Sequence, residues 1–156
     1  MNRVTLNKTY TSEKERNDYQ QLEYFSITSN FFDGVSAVTA FPIDAVGERG
    51  ENFYNIELKD REYKHDDFFD WYLEADKYAE LRRLSTGSTK PLYVNFFADG
   101  YTMIWCLDAE KGGIDPGEPT KQRKMNPGTN TMEVTSVYHL PSSLALIYNE
   151  EGRRVQ

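Results

Sequence analysis

Glu57 and Lys59 stand two residues apart in Phe53-Tyr54-Asn55-Ile56-Glu57-Leu58-Lys59-Asp60-Arg61, a run whose composition and alternation predict a β-strand. Successive side chains on a strand point to opposite faces, so Phe53, Asn55, Glu57 and Lys59 share one face while Tyr54, Ile56 and Leu58 share the other. The first face therefore carries a carboxylate beside an ammonium. Such a carboxylate can hold a divalent cation, and the ammonium next to it can sit against a scissile phosphate. A cross-strand salt bridge on a solvated surface uses the same two residue types. The pair takes its meaning from the elements that position it.

Upstream, Ser12 to Phe25 predicts a helix: Ser12 and Glu15 make a capping box, and Tyr19, Leu22 and Phe25 recur on one face. Val35 to Phe41 has strand composition, Pro42 bends or ends it, and Gly47-Glu48-Arg49-Gly50 offers a turn, so residues 35–60 predict an antiparallel hairpin. A second helix is expected from Asp66 or Asp67, with Phe68, Tyr72, Ala75 and Ala79 as its stripe and Arg82 and Arg83 at its C-terminal end. Asp99-Gly100, between Leu92–Phe97 and Tyr101–Leu107, is a hairpin signal. Gly, Pro, Asn and Lys dominate residues 111–131, which predicts an irregular loop. A strand over Met132–Leu140, a short helix over Pro141–Tyr148 and a frayed tail over 150–156 complete the reading. The order predicts one α/β domain over 1–156, a mixed, mostly antiparallel sheet flanked by helices.

At 156 residues the chain suits one core, and 9 Phe, 11 Tyr and 2 Trp supply large buried areas from few positions. The single cysteine, Cys106, excludes an internal disulfide and a cysteine-based zinc site. No apolar run is long enough to span a bilayer and no signal peptide opens the chain, so a soluble cytoplasmic protein is expected. The net charge of −7 argues against a protein that coats DNA non-specifically. It leaves room for an enzyme whose metal ion and local basic patch act against an acidic background.

The helix, the hairpin carrying Glu57-Leu58-Lys59 on its second strand, the next helix and the following strands resemble the core of the PD-(D/E)xK, or restriction-endonuclease-like, superfamily. The resemblance spans roughly residues 12–107. The phrases Ile56-Glu57-Leu58-Lys59-Asp60-Arg61, Glu74-Ala75-Asp76-Lys77-Tyr78 and Tyr93-Val94-Asn95-Phe96-Phe97 are similar to those of small phage-type members, which implies a bacterial or phage-encoded protein. The resemblance implies a nuclease that hydrolyses DNA phosphodiesters with Mg²⁺ or Mn²⁺, Glu57 as metal ligand and Lys59 as the positioning or charge-stabilising cation.

It also implies a second metal-binding carboxylate on the strand before Glu57, and two residues can supply it. Asp44 lies in Pro42-Ile43-Asp44, and Asp33 in Phe32-Asp33-Gly34. A turn centred near residues 46–47 pairs Ser36 with Glu57 and brings Asp33 towards Asp60. A turn near 49–50 pairs Asp44 with Asn55, on the face of Glu57. Both Gly47 and Gly50 fit turns, and Pro42 weighs towards Asp33 because proline interrupts a ladder.

Accessory roles fall to Glu13 or Glu15 on the first helix and to Lys77 on the second, although a capping box and solvated helix faces are the more ordinary uses of these residues. Lys121, Arg123 and Lys124 form the basic cluster that can contact nucleic acid. A different reading keeps the fold without the chemistry. With Ser36 in the place of the acid, the chain would be a binding or assembly protein of a phage or mobile element, using the aromatic strands over 92–107 as a partner surface. A homodimer is compatible with either reading.

Overall fold

In the computed structural model residues 13–38 and 42–156 are described. They form two helices and nine strands in the order α1 (Glu13–Ser29), β1 (Gly34–Ala37), β2 (Ala45–Arg49), β3 (Asn52–Asp60), β4 (Asp70–Glu74), α2 (Ala75–Leu84), β5 (Thr89–Phe96), β6 (Thr102–Cys106), β7 (Thr120–Asn126), β8 (Thr131–Pro141) and β9 (Leu146–Tyr148). Six strands make a central sheet in the order β1-β2-β3-β5-β6-β9, and β4-β8-β7 make a second, smaller sheet. Only β3 and β5 pair in parallel within the central sheet, because the chain between them crosses over through β4 and α2. No helix among the described residues is long and apolar enough to cross a membrane.

The central sheet buries both faces. Tyr19, Leu22 and Phe25 of α1 pack with Phe31, Phe32, Ile56, Leu58, Val94 and Ile104. On the opposite face Trp71 and Leu73 of β4, Leu81 of α2 and Leu140 of β8 pack with Tyr93, Met103 and Trp105. The period-2 alternation of β3 sends Ile56 and Leu58 into the first core and turns Asn55, Glu57 and Lys59 towards the side of α2.

Several sequence expectations need correction. Residues 35–60 form a three-stranded meander rather than one hairpin: Ser36 pairs with Val46 of β2, and β2 alone separates β1 from β3. The β2–β3 loop falls at Gly50 and Glu51, where Gly50 takes φ +59°, a conformation that suits glycine. Gly47 serves packing instead, since a Cβ there would stand 2.8 Å from the Phe32 ring. The second helix begins at Ala75, not near Asp66. Asp67 caps a turn by accepting from the Lys64 N–H, and Trp71 and Leu73 bury alternately as a strand paired with β8. The period of two there outweighs the helical stripe.

Within 111–131, Thr120–Asn126 forms β7 through seven register pairs with β8. Pro141–Tyr148 contains one 3-10 turn and then β9. The tail is fastened, not frayed: the Val155 N–H donates to Ile147 O, and the Gln156 side-chain amide donates to Ser142 O and Ala145 O. The runs over 92–107 hold buried central strands, so most of their aromatic side chains serve the core rather than a partner surface. Ser12 and residues 39–41, read as a cap and as strand, lie outside the described residues.

Candidate active site

Asp44 reaches Glu57 because the β2–β3 register continues one step past its last strand pair. Ala45 lies opposite Ile56, so Asp44 comes level with Glu57. The Asp44 N–H donates to Ile56 O at 3.0 Å, and the Leu58 N–H donates to Asp44 Oδ2 at 2.8 Å. These two bonds carry the ladder to Asp44 despite the bend after Pro42. Asp33 stands at the other end of the hairpin. It is exposed, and its Oδ2 accepts from the Gly50 N–H at 2.6 Å, which ties the mouth of β1 to the turn.

Glu57 is 5% exposed. Burial, then the charge of Asp44, pushes its carboxyl up to about 8, and the two acids share a hydrogen bond that requires a proton between them. Burial also raises Asp44, against the Leu58 N–H and the Lys77 charge, which favour ionisation. A third acid contributes from α1. Asp18 is buried, bonded to Lys14 Nζ at 2.8 Å, and its negative charge further raises Asp44. Two hard oxygen donors held together, retaining a proton at neutral pH, are a donor set for a cation of the Mg²⁺ or Mn²⁺ class, which needs one or two carboxylates and keeps water ligands.

Five cations, Lys59, Arg61, Lys77, Arg123 and Lys124, line the cavity beside Glu57. Lys77 of α2 places Nζ 3.5 Å from Glu57 Oε1; burial lowers its pKa, but the Glu57, Glu74 and Asp44 charges outweigh that and hold it above the usual lysine value. Lys59, half-buried on the same face as Glu57, is lowered by burial and by the charges of Arg61 and Lys77. Lys124 of β7 bonds Glu74 Oε1 at 3.1 Å. Burial opposes ionisation of Glu74, but Lys124 and Lys77 keep its carboxyl below its usual value. Arg61 is fixed by Asn95 Oδ1 at 2.7 Å, Tyr72 O at 2.7 Å and the Tyr93 hydroxyl at 3.1 Å. Glu57, Lys59, Arg61, Lys77, Arg123 and Lys124 line one cavity of about 230 Å³, with Tyr72 and Tyr93 in its wall.

The structure thus brings Glu57, Lys59, Asp44 and Lys77 to one place, with Arg123 and Lys124 lining the same cavity from β7. Lys121 lies on β7 but not in the cavity wall, and Glu15 lies in the first turn of α1, also outside it. Arg61, Tyr93 and Asp18 were missed. Asp18 carried a signal, standing four residues before Leu22 on the stripe that α1 buries.

Two further features stand elsewhere. His65, Asp66 and Asp99 offer ligand atoms within 4.8 Å of one another, a second group that can hold a metal ion. Its visible work is structural: His65 Nδ1 meets Asp99 Oδ2 at 2.6 Å, and the His65 ring stacks on Tyr101 at 3.7 Å. A larger cleft of about 550 Å³, lined by Gln20, Tyr24, Asp60 and Glu150 among others, contains no lysine or arginine among the described residues. Cavity size and chemistry therefore point to different places, and the chemistry sits in the smaller one.

No family model matches the chain, and no curated protein matches its sequence. Among solved structures it is similar to Hjc, a Holliday junction resolvase of the archaeal hyperthermophile Archaeoglobus fulgidus. The TM-score is 0.53 at 16% identity, over 85% of this chain and 87% of that one. An identity this low speaks for the fold alone. The fold is restriction-endonuclease-like: mixed α/β, with a mostly antiparallel sheet flanked by two helices.

Proposed function

We propose that this protein is a metal-dependent nuclease that hydrolyses DNA phosphodiester bonds. The observation that carries the reading is the buried Glu57, coupled to the half-buried Asp44 beside it and facing, with Lys59, a cavity lined by cations. Asp44 and Glu57 are the residues to hold Mg²⁺ or Mn²⁺. When bound, such an ion supplies Lewis acidity towards a phosphoryl oxygen and lowers the pKa of water. Lys59, less strongly protonated than a free lysine, is placed to position water or to meet charge developing on the phosphate. Arg61, held rigid by three bonds, offers a pre-ordered guanidinium to a neighbouring phosphate. The fold shared with a Holliday junction resolvase supports DNA as the substrate, and the phrases that resemble small phage-type members support a phage or mobile-element origin.

Cleavage of four-way-junction and linear duplex DNA with Mn²⁺, with Mg²⁺ and with chelator tests the proposal. Wild type should cut only with metal, and Glu57→Ala and Lys59→Ala should each lose at least about 100-fold in rate. Unchanged cleavage in both variants would sink it.

One observation favours a second reading. Lys77 already gives the acid pair a cation, at 3.5 Å from Glu57, which is what a metal-free binding or assembly protein on this fold would need. In that case Mn²⁺ should leave the melting temperature unchanged, whereas a bound metal raises it.

A further inference from the structure

The β7–β8 hairpin is not supported along its whole length. The last pair tying β8 to β4 is Glu74↔Val137, while β7 and β8 continue pairing from Lys121↔Ser136 to Asn126↔Thr131. Among the described residues, six residues of β8, Thr131 to Ser136, therefore have β7 as their one strand neighbour, a two-stranded ribbon about 20 Å long at roughly 3.4 Å per residue. Gln122, Lys124 and Thr135 line the cavity that holds Glu57 and Lys59. By register Lys121, Arg123, Met125, Met132 and Val134 alternate onto the ribbon's other face, with Arg123 also bordering the cavity, and Met125, Met132 and Val134 are 50–65% exposed.

The ribbon's charge opposes that of the chain. Over residues 121–136 it carries Lys121, Arg123 and Lys124 against Glu133 alone, in a protein of net charge −7. Basic side chains flanking an apolar strip suit a nucleic acid, whose phosphates edge a groove floored by bases and thymine methyl groups. Size selects the groove. Two strands about 4.8 Å apart, with their side chains, fit an undistorted major groove of about 12 Å, whereas a minor groove of about 6 Å would first have to be widened.

We infer that the β7–β8 ribbon is a duplex-DNA arm that enters the major groove beside the acid-lined cavity, with Lys121 and Arg123 on the flanking phosphates and Met125, Met132 and Val134 against base edges. This deepens the nuclease reading, from which it takes its substrate class, by specifying a double-stranded segment next to the scissile phosphate. The arm would set where on a duplex the cavity lands.

The test uses the full chain in chelator, so that binding is read without cutting. Fluorescence anisotropy with a labelled duplex over a salt series should show the Lys121→Ala/Arg123→Ala variant about 10-fold weaker. Its slope of log affinity against log salt should be shallower by about 1.8, as each lost phosphate contact removes about 0.9. Dimethyl sulfate footprinting should show wild type protecting guanine N7, which lies in the major groove, with that protection lost in Met125→Ser/Met132→Ser. Unaltered affinity and slope would overturn the inference, as would protection confined to adenine N3 in the minor groove. So would Met125→Ser/Met132→Ser turning a dimer into a monomer without affecting DNA binding, which would make the ribbon a contact between two copies. The two readings fail separately. Metal-dependent cutting unaffected by the ribbon variants removes the arm and keeps the nuclease, while ribbon-dependent binding without cutting does the reverse. Unchanged melting temperatures in both double variants confirm that the fold is intact.

Discussion

The two faces of β3 put the same nine residues to opposite uses. Ile56 and Leu58 are buried among apolar side chains, where each methylene removed from water favours the fold. Glu57 is buried just as deeply on the other face, where its ionised form is disfavoured by burial and by Asp44. One face supplies stability and the other consumes some of it to hold acids in an unfavourable arrangement. Two carboxyls held close enough to disfavour joint ionisation can take a metal cation in place of the retained proton.

Changes that break this contrast should have effects of very different size. The largest belongs to the polar face: Asp44→Asn and Glu57→Gln should each reduce metal-dependent DNA cleavage about 1,000-fold or more, read as initial rates, while leaving the circular dichroism spectrum unchanged. On the apolar face Ile56→Ala should cost about 2–5 kcal/mol of folding stability in chemical denaturation, through lost burial and the cavity left behind.

Next comes pH. Glu57 has a folded-state pKa raised from 4.5 to about 8, so between those values the folded state binds more protons than the unfolded state. Stability of the metal-free protein should fall as pH rises through that window. Glu57→Gln should remove the fall and exceed wild type by roughly 2–4 kcal/mol near pH 8.5. A wild type whose stability stays flat between pH 5 and about 8.5 would show that the pair is not strained as described. A smaller effect is expected at Lys77. Lys77→Met should lower the melting temperature of the metal-free protein by a few degrees and tighten Mn²⁺ binding several-fold, since the ammonium beside Glu57 competes with the metal. The smallest belongs to Asp33: Asp33→Ala loses one exposed bond to Gly50 and should cost about 1 kcal/mol or less, with cleavage unaffected.

How much of this was legible from the sequence follows from how local each signal is. The alternation around Glu57, the Asp99-Gly100 hairpin and the α1 stripe depend on neighbours in sequence, and each stands where the pattern placed it. The choice between Asp33 and Asp44 was not local. It depended on whether β2 exists as a strand of its own, and that was decided by the Gly50 turn and by the Phe32 ring lying against Gly47. Helix and strand periodicities overlap in Phe68-Phe69-Asp70-Trp71-Tyr72-Leu73, and β8, more than sixty residues later, tips the balance to strand. β7 reads as loop because its side chains are mostly exposed and polar; pairing with β8 makes it a strand. Long-range pairing accounts for the last two differences, at β4 and β7.

The most direct test is isothermal titration with Mn²⁺ at pH 8 of wild type, Asp33→Asn, Asp44→Asn and Glu57→Gln. Binding in wild type and Asp33→Asn, lost in both Asp44→Asn and Glu57→Gln, is the expected result. Binding that survives Asp44→Asn and Glu57→Gln, or no binding in wild type, would contradict a metal centre at the Asp44–Glu57 pair.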